Sequence, residues 1–99
     1  MRKEGILLAA QRELREETGY VGQVHHLASV NYSPYSDGKR HMFMAVECER
    51  DPGGQDLDPT EFIEVVRVPV DQMRKQMMKN ASFRGWDTAY LTLDKLGKL

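Results

Sequence analysis

Arg12-Glu13-Leu14-Arg15-Glu16-Glu17-Thr18-Gly19-Tyr20 is the stretch on which the reading of this chain turns. Glu13, Glu16 and Glu17 are spaced i, i+3, i+4, so a helix places them within roughly 100° of arc on one face. Gly19 ends that helix, because glycine takes the left-handed conformation after a last turn without a Cβ penalty. Upstream, Ile6, Leu7, Ala9, Ala10 and Leu14 recur at helical spacing, which predicts a helix from Glu4 to Thr18. Like charges so close repel, at a cost of about a few tenths of a kcal/mol per contact unless a cation sits among them. The acids overlap the edge of the apolar stripe, so they stand where core meets solvent. A divalent ion can be held there and still keep waters, and Mg²⁺ or Mn²⁺ suits an all-oxygen site. Arg12 lies four residues before Glu16, within reach of its carboxylate. Solvated Glu and Arg faces laced by i,i+4 pairs use the same residues. Spacing alone leaves both readings open.

Working outward, Val24 to Tyr32 alternates: Val24, His26, Ala28, Val30 and Tyr32 point one way and His25, Leu27, Ser29 and Asn31 the other, the pattern of a strand. The cluster from Ser33 to Lys39 contains Asp37-Gly38 and predicts a reversal into a second strand, His41 to Glu49. The second strand carries Met42, Met44, Val46 and Cys48 on one face and Phe43 and Ala45 on the other, partly apolar on both, as in a sheet covered on each side. Asp51 to Thr60 is a loop long enough to carry function. Phe62 to Val68, rich in Val and Ile, reads as a third strand. Val70 to Lys79 is helical, with Asn80 as its cap, and a last helix runs from about Trp86 to Leu96. Helix, strand, strand, strand, helix, helix describes a small mixed α/β domain.

The chain has 99 residues, 40% hydrophobic and 29% charged, with a formal net charge of −1. That balance predicts one globular domain over residues 1–99 and excludes disorder. The near-zero charge gives no electrostatic reason for nucleic acid or an anionic membrane as partner. No apolar run reaches the roughly 18 residues of a membrane span, and a cytoplasmic protein is expected. Cys48 has no partner for an internal disulfide and reads as a buried, inert thiol. Met42, Met44, Met73, Met77 and Met78 read as core filling. His25 and His26 are adjacent in a strand, face opposite ways and cannot share a metal from one face; His41 carries no assignment. Tyr35 and Trp86 read as packing ahead of stacking on a base, and Arg74, Lys75 and Lys79 as a solvated basic face.

Glu4, seven further residues, and then Arg12-Glu13-Leu14-Arg15-Glu16-Glu17-Thr18-Gly19-Tyr20 resembles the signature of the Nudix hydrolases. A chance match at the six fixed Glu, Arg and Gly positions is on the order of 10⁻⁷ per starting point. Glu61 to Pro69 and the Ser33-Pro34 loop are similar to segments of the ADP-ribose and ADP-sugar pyrophosphatase branch. The resemblance implies a Nudix-type α/β/α sandwich with a mixed sheet. It implies that Glu13, Glu16 and Glu17 bind divalent metal, Mg²⁺ or Mn²⁺, and that Arg12 orients one of these carboxylates. Glu4 takes a supporting place. Glu61 falls where some ADP-ribose pyrophosphatases carry the glutamate that orients or deprotonates the attacking water, and Glu64 is a second candidate. The implied reaction is metal-dependent hydrolysis of a nucleoside diphosphate linked to another moiety, releasing AMP and a sugar phosphate from ADP-ribose or an ADP-sugar.

The family's opening glycine would fall six residues before Glu4, upstream of Met1, together with the strands that precede it. The expectation is therefore an N-terminally truncated domain, with a bare sheet covered by a second copy in a homodimer. The alternatives are a catalytically impaired Nudix-fold binding or structural module that dimerises, and a longer natural enzyme whose start lies upstream.

Overall fold

The computed structural model describes residues 3–31, 33–35, 37–79 and 84–98. In chain order the elements are α1 (Lys3–Thr18), β1 (Tyr20–Asn31), β2 (Lys39–Arg50), α2 (Val70–Lys79) and α3 (Trp86–Lys95). The expected α/β class holds. The chain divides into two compact units, Met1–Val65 and Val66–Leu99.

In the first unit α1 packs on β1, which pairs with β2 in an antiparallel hairpin. The helix ends as Gly19 requires. Its φ of 74° lies in the left-handed region, and its amide donates to Arg15 O at 2.8 Å. Space imposes glycine as well, since a Cβ on residue 19 would lie 3.1 Å from Gln55 N and from the carbonyl carbon of Gly54. Thr18 reinforces the exit: its hydroxyl donates to Leu14 O and accepts from Tyr20 N at 3.1 Å.

Both strands are longer than their alternation predicts, and each carries an irregularity. Between the pairs Val21↔Glu49 and Gln23↔Val46, two residues of β2 face one of β1. Between His26↔Phe43 and Ala28↔Met42 the extra residue is Leu27, in β1. The two bulges restore the original register between them. At the first, Glu47 adopts φ 54° and its Oε2 accepts from Gln23 Nε2 at 3.2 Å, while Gly22 makes room for the Cys48 thiol. A Cβ at Gly22 would stand 2.8 Å from Cys48 Sγ.

The bulges account for two departures from the sequence reading. Cys48 is exposed rather than buried, lying beyond the kink in the exposed end of β2. The extra residue Leu27 breaks the strict alternation of β1, so His26 and Ser29 meet: Ser29 Oγ lies 2.8 Å from His26 Nε2 and 2.6 Å from His41 Nδ1. His26 also packs edge-on to Phe43, with ring centroids 5.2 Å apart. His25 is exposed while His26 is half-buried, as adjacent strand residues should be.

The third strand does not form. Residues 61–69 carry no regular secondary structure, and the sheet of the described residues has two strands. Phe62 and Val66 are 88% and 71% exposed, so the apolar alternation there is not matched by burial. Extended Val- and Ile-rich sequence becomes a strand only when a neighbour supplies the ladder.

In the second unit, α2 and α3 fall where their spacing predicts. Met77 and Leu93 are its buried apolar side chains. Met73 is half-buried, but Met78 is exposed and does not fill a core, because it follows Met77 by one residue and turns about 100° away. Trp86 stacks on Tyr90 at 5.9 Å between centroids, so it packs within its own helix as expected. Tyr35, in the hairpin turn of the first unit, is almost fully exposed. Asn80, the expected cap of α2, and Tyr32 lie outside the described residues. No helix among the described residues is long and apolar enough to cross a membrane.

Candidate active site

The last carbonyls of a helix have no partner within it and must find donors elsewhere. At the end of α1 they are found in order. Arg15 O accepts from Gly19 N at 2.8 Å, Glu16 O from Asp56 N at 2.7 Å, and Glu17 O from the side-chain amide of Gln55 at 2.6 Å. Two of these donors belong to the segment after β2. That segment starts where Asp51 N donates to Gly19 O, turns through Asp51–Gly54, and runs back across the helix end. The need to satisfy helix carbonyls thus brings the loop to the face that carries the acids.

Glu61 follows in the same segment, within a turn tied by several bonds. Thr60 donates to Asp58 Oδ1 from its amide (3.0 Å) and its hydroxyl (2.7 Å), and Glu61 N donates to Asp58 O at 3.0 Å. Glu61 Oε1 accepts from Asp58 N at 3.0 Å. The hydrogen bonds from Thr60 hold the Asp58 carboxyl below the usual range.

Glu17 is pushed the other way. Neighbouring atoms strip some of its water, and the negative charges of Glu13, Glu61 and Glu16 add to the rise. Glu61 is therefore close enough to Glu17 for their charges to interact, although 44 positions separate them in the chain (61 − 17). Glu16 is half-buried and paired. Arg12 Nη1 lies 3.4 and 3.5 Å from its two oxygens, and Arg15 Nη2 lies 4.0 Å from one of them. The Arg12 contact is the pair that the four-residue spacing predicts.

The donor set, the three helix glutamates Glu13, Glu16 and Glu17 carrying only oxygen, fits a hard divalent cation such as Mg²⁺ or Mn²⁺. The side chains are not gathered into a coordination shell: among the described residues no three His, Cys, Asp or Glu converge so as to hold an ion as they stand. Glu13 and Glu17 are exposed, so their carboxylates can turn inward without displacing packed neighbours. Glu64, the second candidate for the base, is also exposed, and the charges that raise Glu17 are those of Glu13, Glu61 and Glu16. The Glu4 side chain lies outside the described residues.

The family model of the NUDIX domain matches residues 2–87. The chain belongs to the Nudix family. Helix α1 and the acids near its end lie within the matched region, as do the hairpin and the loop that carries Glu61. No curated protein matches the chain. Membership supports hydrolysis of nucleoside diphosphate derivatives as the general chemistry.

Two features of the Nudix domain went unread in the sequence. Gln55 is a lone glutamine in a polar loop, and no pattern distinguishes it from a solvated one. The His26, Ser29 and His41 contact depends on the bulge at Leu27, for which the sequence holds no signal.

Proposed function

We propose that this chain is a divalent-metal-dependent Nudix pyrophosphatase acting on a nucleoside diphosphate linked to a sugar, with ADP-ribose or an ADP-sugar as substrate. The observation that carries the reading is the seating of the Glu61 loop on the acid-bearing end of α1, where Asp56 N donates to Glu16 O and Gln55 donates to both Glu17 O and Ile63 O. Glu13, Glu16 and Glu17 would hold Mg²⁺ or Mn²⁺. When bound, the ion supplies neutralisation of the diphosphate oxygens and acidification of a water.

The chain's own groups divide the remaining work. Arg12 holds the Glu16 carboxylate by a charge-assisted contact and limits its rotation. Glu61 is oriented through Oε1 by Asp58 N, and its second oxygen can accept a proton from the attacking water. Attack of that water at a phosphorus breaks one P–O bond of the diphosphate, and ADP-ribose then leaves as AMP and ribose 5-phosphate. The ADP-sugar assignment rests on the likeness of Glu61–Pro69 and Ser33-Pro34 to that branch.

Self-association belongs to the same reading. Within the described residues the sheet has two strands, and Phe62 and Val66 are exposed beside it in sequence. Such surface favours a homodimer, and a monomer by light scattering would overturn that part.

The decisive experiment measures Mg²⁺-dependent release of AMP from ADP-ribose by purified protein, with Glu17→Gln as control. Turnover by the wild type that Glu17→Gln abolishes supports the assignment. Equal activity in both proteins removes Glu17 from the chemistry. An inactive wild type that still binds the nucleotide favours the impaired binding module.

A further inference from the structure

Resting on the proposed pyrophosphatase reading, we infer that Gln55 is the positioning residue that couples α1 to the loop glutamate. Its side-chain nitrogen lies 2.6 Å from Glu17 O and 2.9 Å from Ile63 O. Glu17 belongs to the acid face, and Ile63 stands two residues after Glu61. One primary amide therefore joins the backbones of the two places whose separation the chemistry needs fixed.

The chemistry of the contact is specific to an amide. Both partners are carbonyl oxygens, which only accept, so the NH₂ group must point at them and both of its protons are used. A carboxylate of the same shape would bring negative charge against two acceptors. A leucine would fill the space and leave both carbonyls without their donor. Serine and asparagine are too short to make both contacts from this backbone position.

The neighbouring geometry gives Gln55 purchase. Asp56 N donates to Glu16 O one residue further on, and Gly19 carries no Cβ where the Gly54–Gln55 backbone passes. Gln55 is thus fixed at its backbone by the helix end and reaches forward with its side chain to the segment that bears Glu61. Asp58 orients the Glu61 carboxylate within its own turn. Its hydrogen bonds to Thr60 and Glu61 lie within that turn, whereas those of Gln55 reach from the helix end to the segment after Glu61.

Amide hydrogen exchange and kinetics on the full chain test this together, using Gln55→Leu and Gln55→Glu. In both variants exchange at Asp56 N and Glu61 N accelerates by about tenfold or more, as loss of two hydrogen bonds allows. Amides in the β1–β2 ladder keep their rates. Unchanged exchange at Asp56 and Glu61 overturns the inference, and so does an equal rise across the ladder, which marks general destabilisation. This arm does not depend on turnover, so it separates failure of the inference from failure of the proposed function. In the kinetic arm, both variants lose kcat with KM held within about twofold, and the loss disappears when Glu61 is already alanine. A loss of equal size in the Glu61→Ala background shows that Gln55 does not act through Glu61.

Discussion

Glu16 and Glu17 stand on a helix, while Glu61 stands on a segment without regular structure, and the two sets are held by different kinds of bond. The backbone of α1 fixes the spacing of its acids, and their side chains are left with mutual repulsion and a long contact to Arg12. Around Glu61 the backbone has no ladder, and side chains do the fixing: the Asp58 carboxylate accepts from Thr60 N and the Thr60 hydroxyl, the Glu61 carboxylate accepts from Asp58 N, and Gln55 donates to Ile63 O. The helix presents charge that wants a cation. The loop presents a carboxylate already oriented. Under the proposed function, this is the division expected between holding an ion and accepting a proton.

The strongest way to break that comparison is to remove the loop acid alone. Glu61→Gln keeps the shape and the contact to Asp58 N but loses the basic oxygen, and activity should fall by ~10²- to 10⁴-fold. Metal affinity, measured by Mn²⁺ titration, should change little. Glu64→Gln serves as the companion variant and should keep near-normal turnover. If Glu64→Gln is the damaging change, the two glutamates exchange roles and the loop geometry is not the catalytic one.

Arg12→Ala sharpens the helix side. The guanidinium makes long contacts and is largely exposed, so its removal should cost less than ~1 kcal/mol of stability in urea unfolding. Its effect on the site should be larger, because groups that orient a metal ligand commonly account for ~10- to 100-fold in affinity or activity. A variant that loses stability but keeps activity would show that the pair is a structural ornament of α1 alone.

Gly19→Ala tests the joint between the two regions. An L-residue forced to φ 74° costs about 1–2 kcal/mol. The added Cβ would also press on the Gly54–Gln55 backbone at 3.1 Å, where atoms of the main chain must shift. The urea midpoint should fall, and turnover should fall with it as the loop is displaced. A drop in stability at full activity would mean that the loop finds its place without the close passage at residue 19.

What was readable in advance divides along the same line. Helix periodicity and Gly19 placed α1 to within a residue, because both signals are local. The hairpin was readable from alternation and Asp37-Gly38. Its bulges were not, since Gly22 is one glycine in a strand and Leu27 looks like any strand leucine. Phe62–Val68 has strand composition yet forms no strand, because pairing depends on a neighbour that local sequence does not name. Spacing put Glu13, Glu16 and Glu17 on one face of the helix, but their metal-binding role was inferred only through the resemblance. Glu61 was reached through resemblance, and Gln55 not at all, because a contact between residues 17 and 55 leaves no local pattern.

The smallest effect is a difference in sign. The Glu17 carboxyl is raised in the folded protein, so between the ordinary glutamate range and its raised value the native state binds more proton than the unfolded chain. Stability therefore falls as pH rises through that window and stays lower above it. Asp58 behaves oppositely: its folded value is lowered, and its contribution is present above the ordinary aspartate range and lost as pH falls through the lowered value. Glu17→Gln should then raise the urea midpoint slightly near pH 7 and leave it unchanged near pH 3, where both side chains are neutral. Mg²⁺ should raise the wild-type midpoint near pH 7 and leave Glu17→Gln behind, because a ligand of the folded state stabilises by mass action. If Glu17→Gln lowers the midpoint at neutral pH, Glu17 makes a favourable contact in the metal-free fold. The helix acids would then be held as the loop acid is, and the contrast between the two regions would collapse.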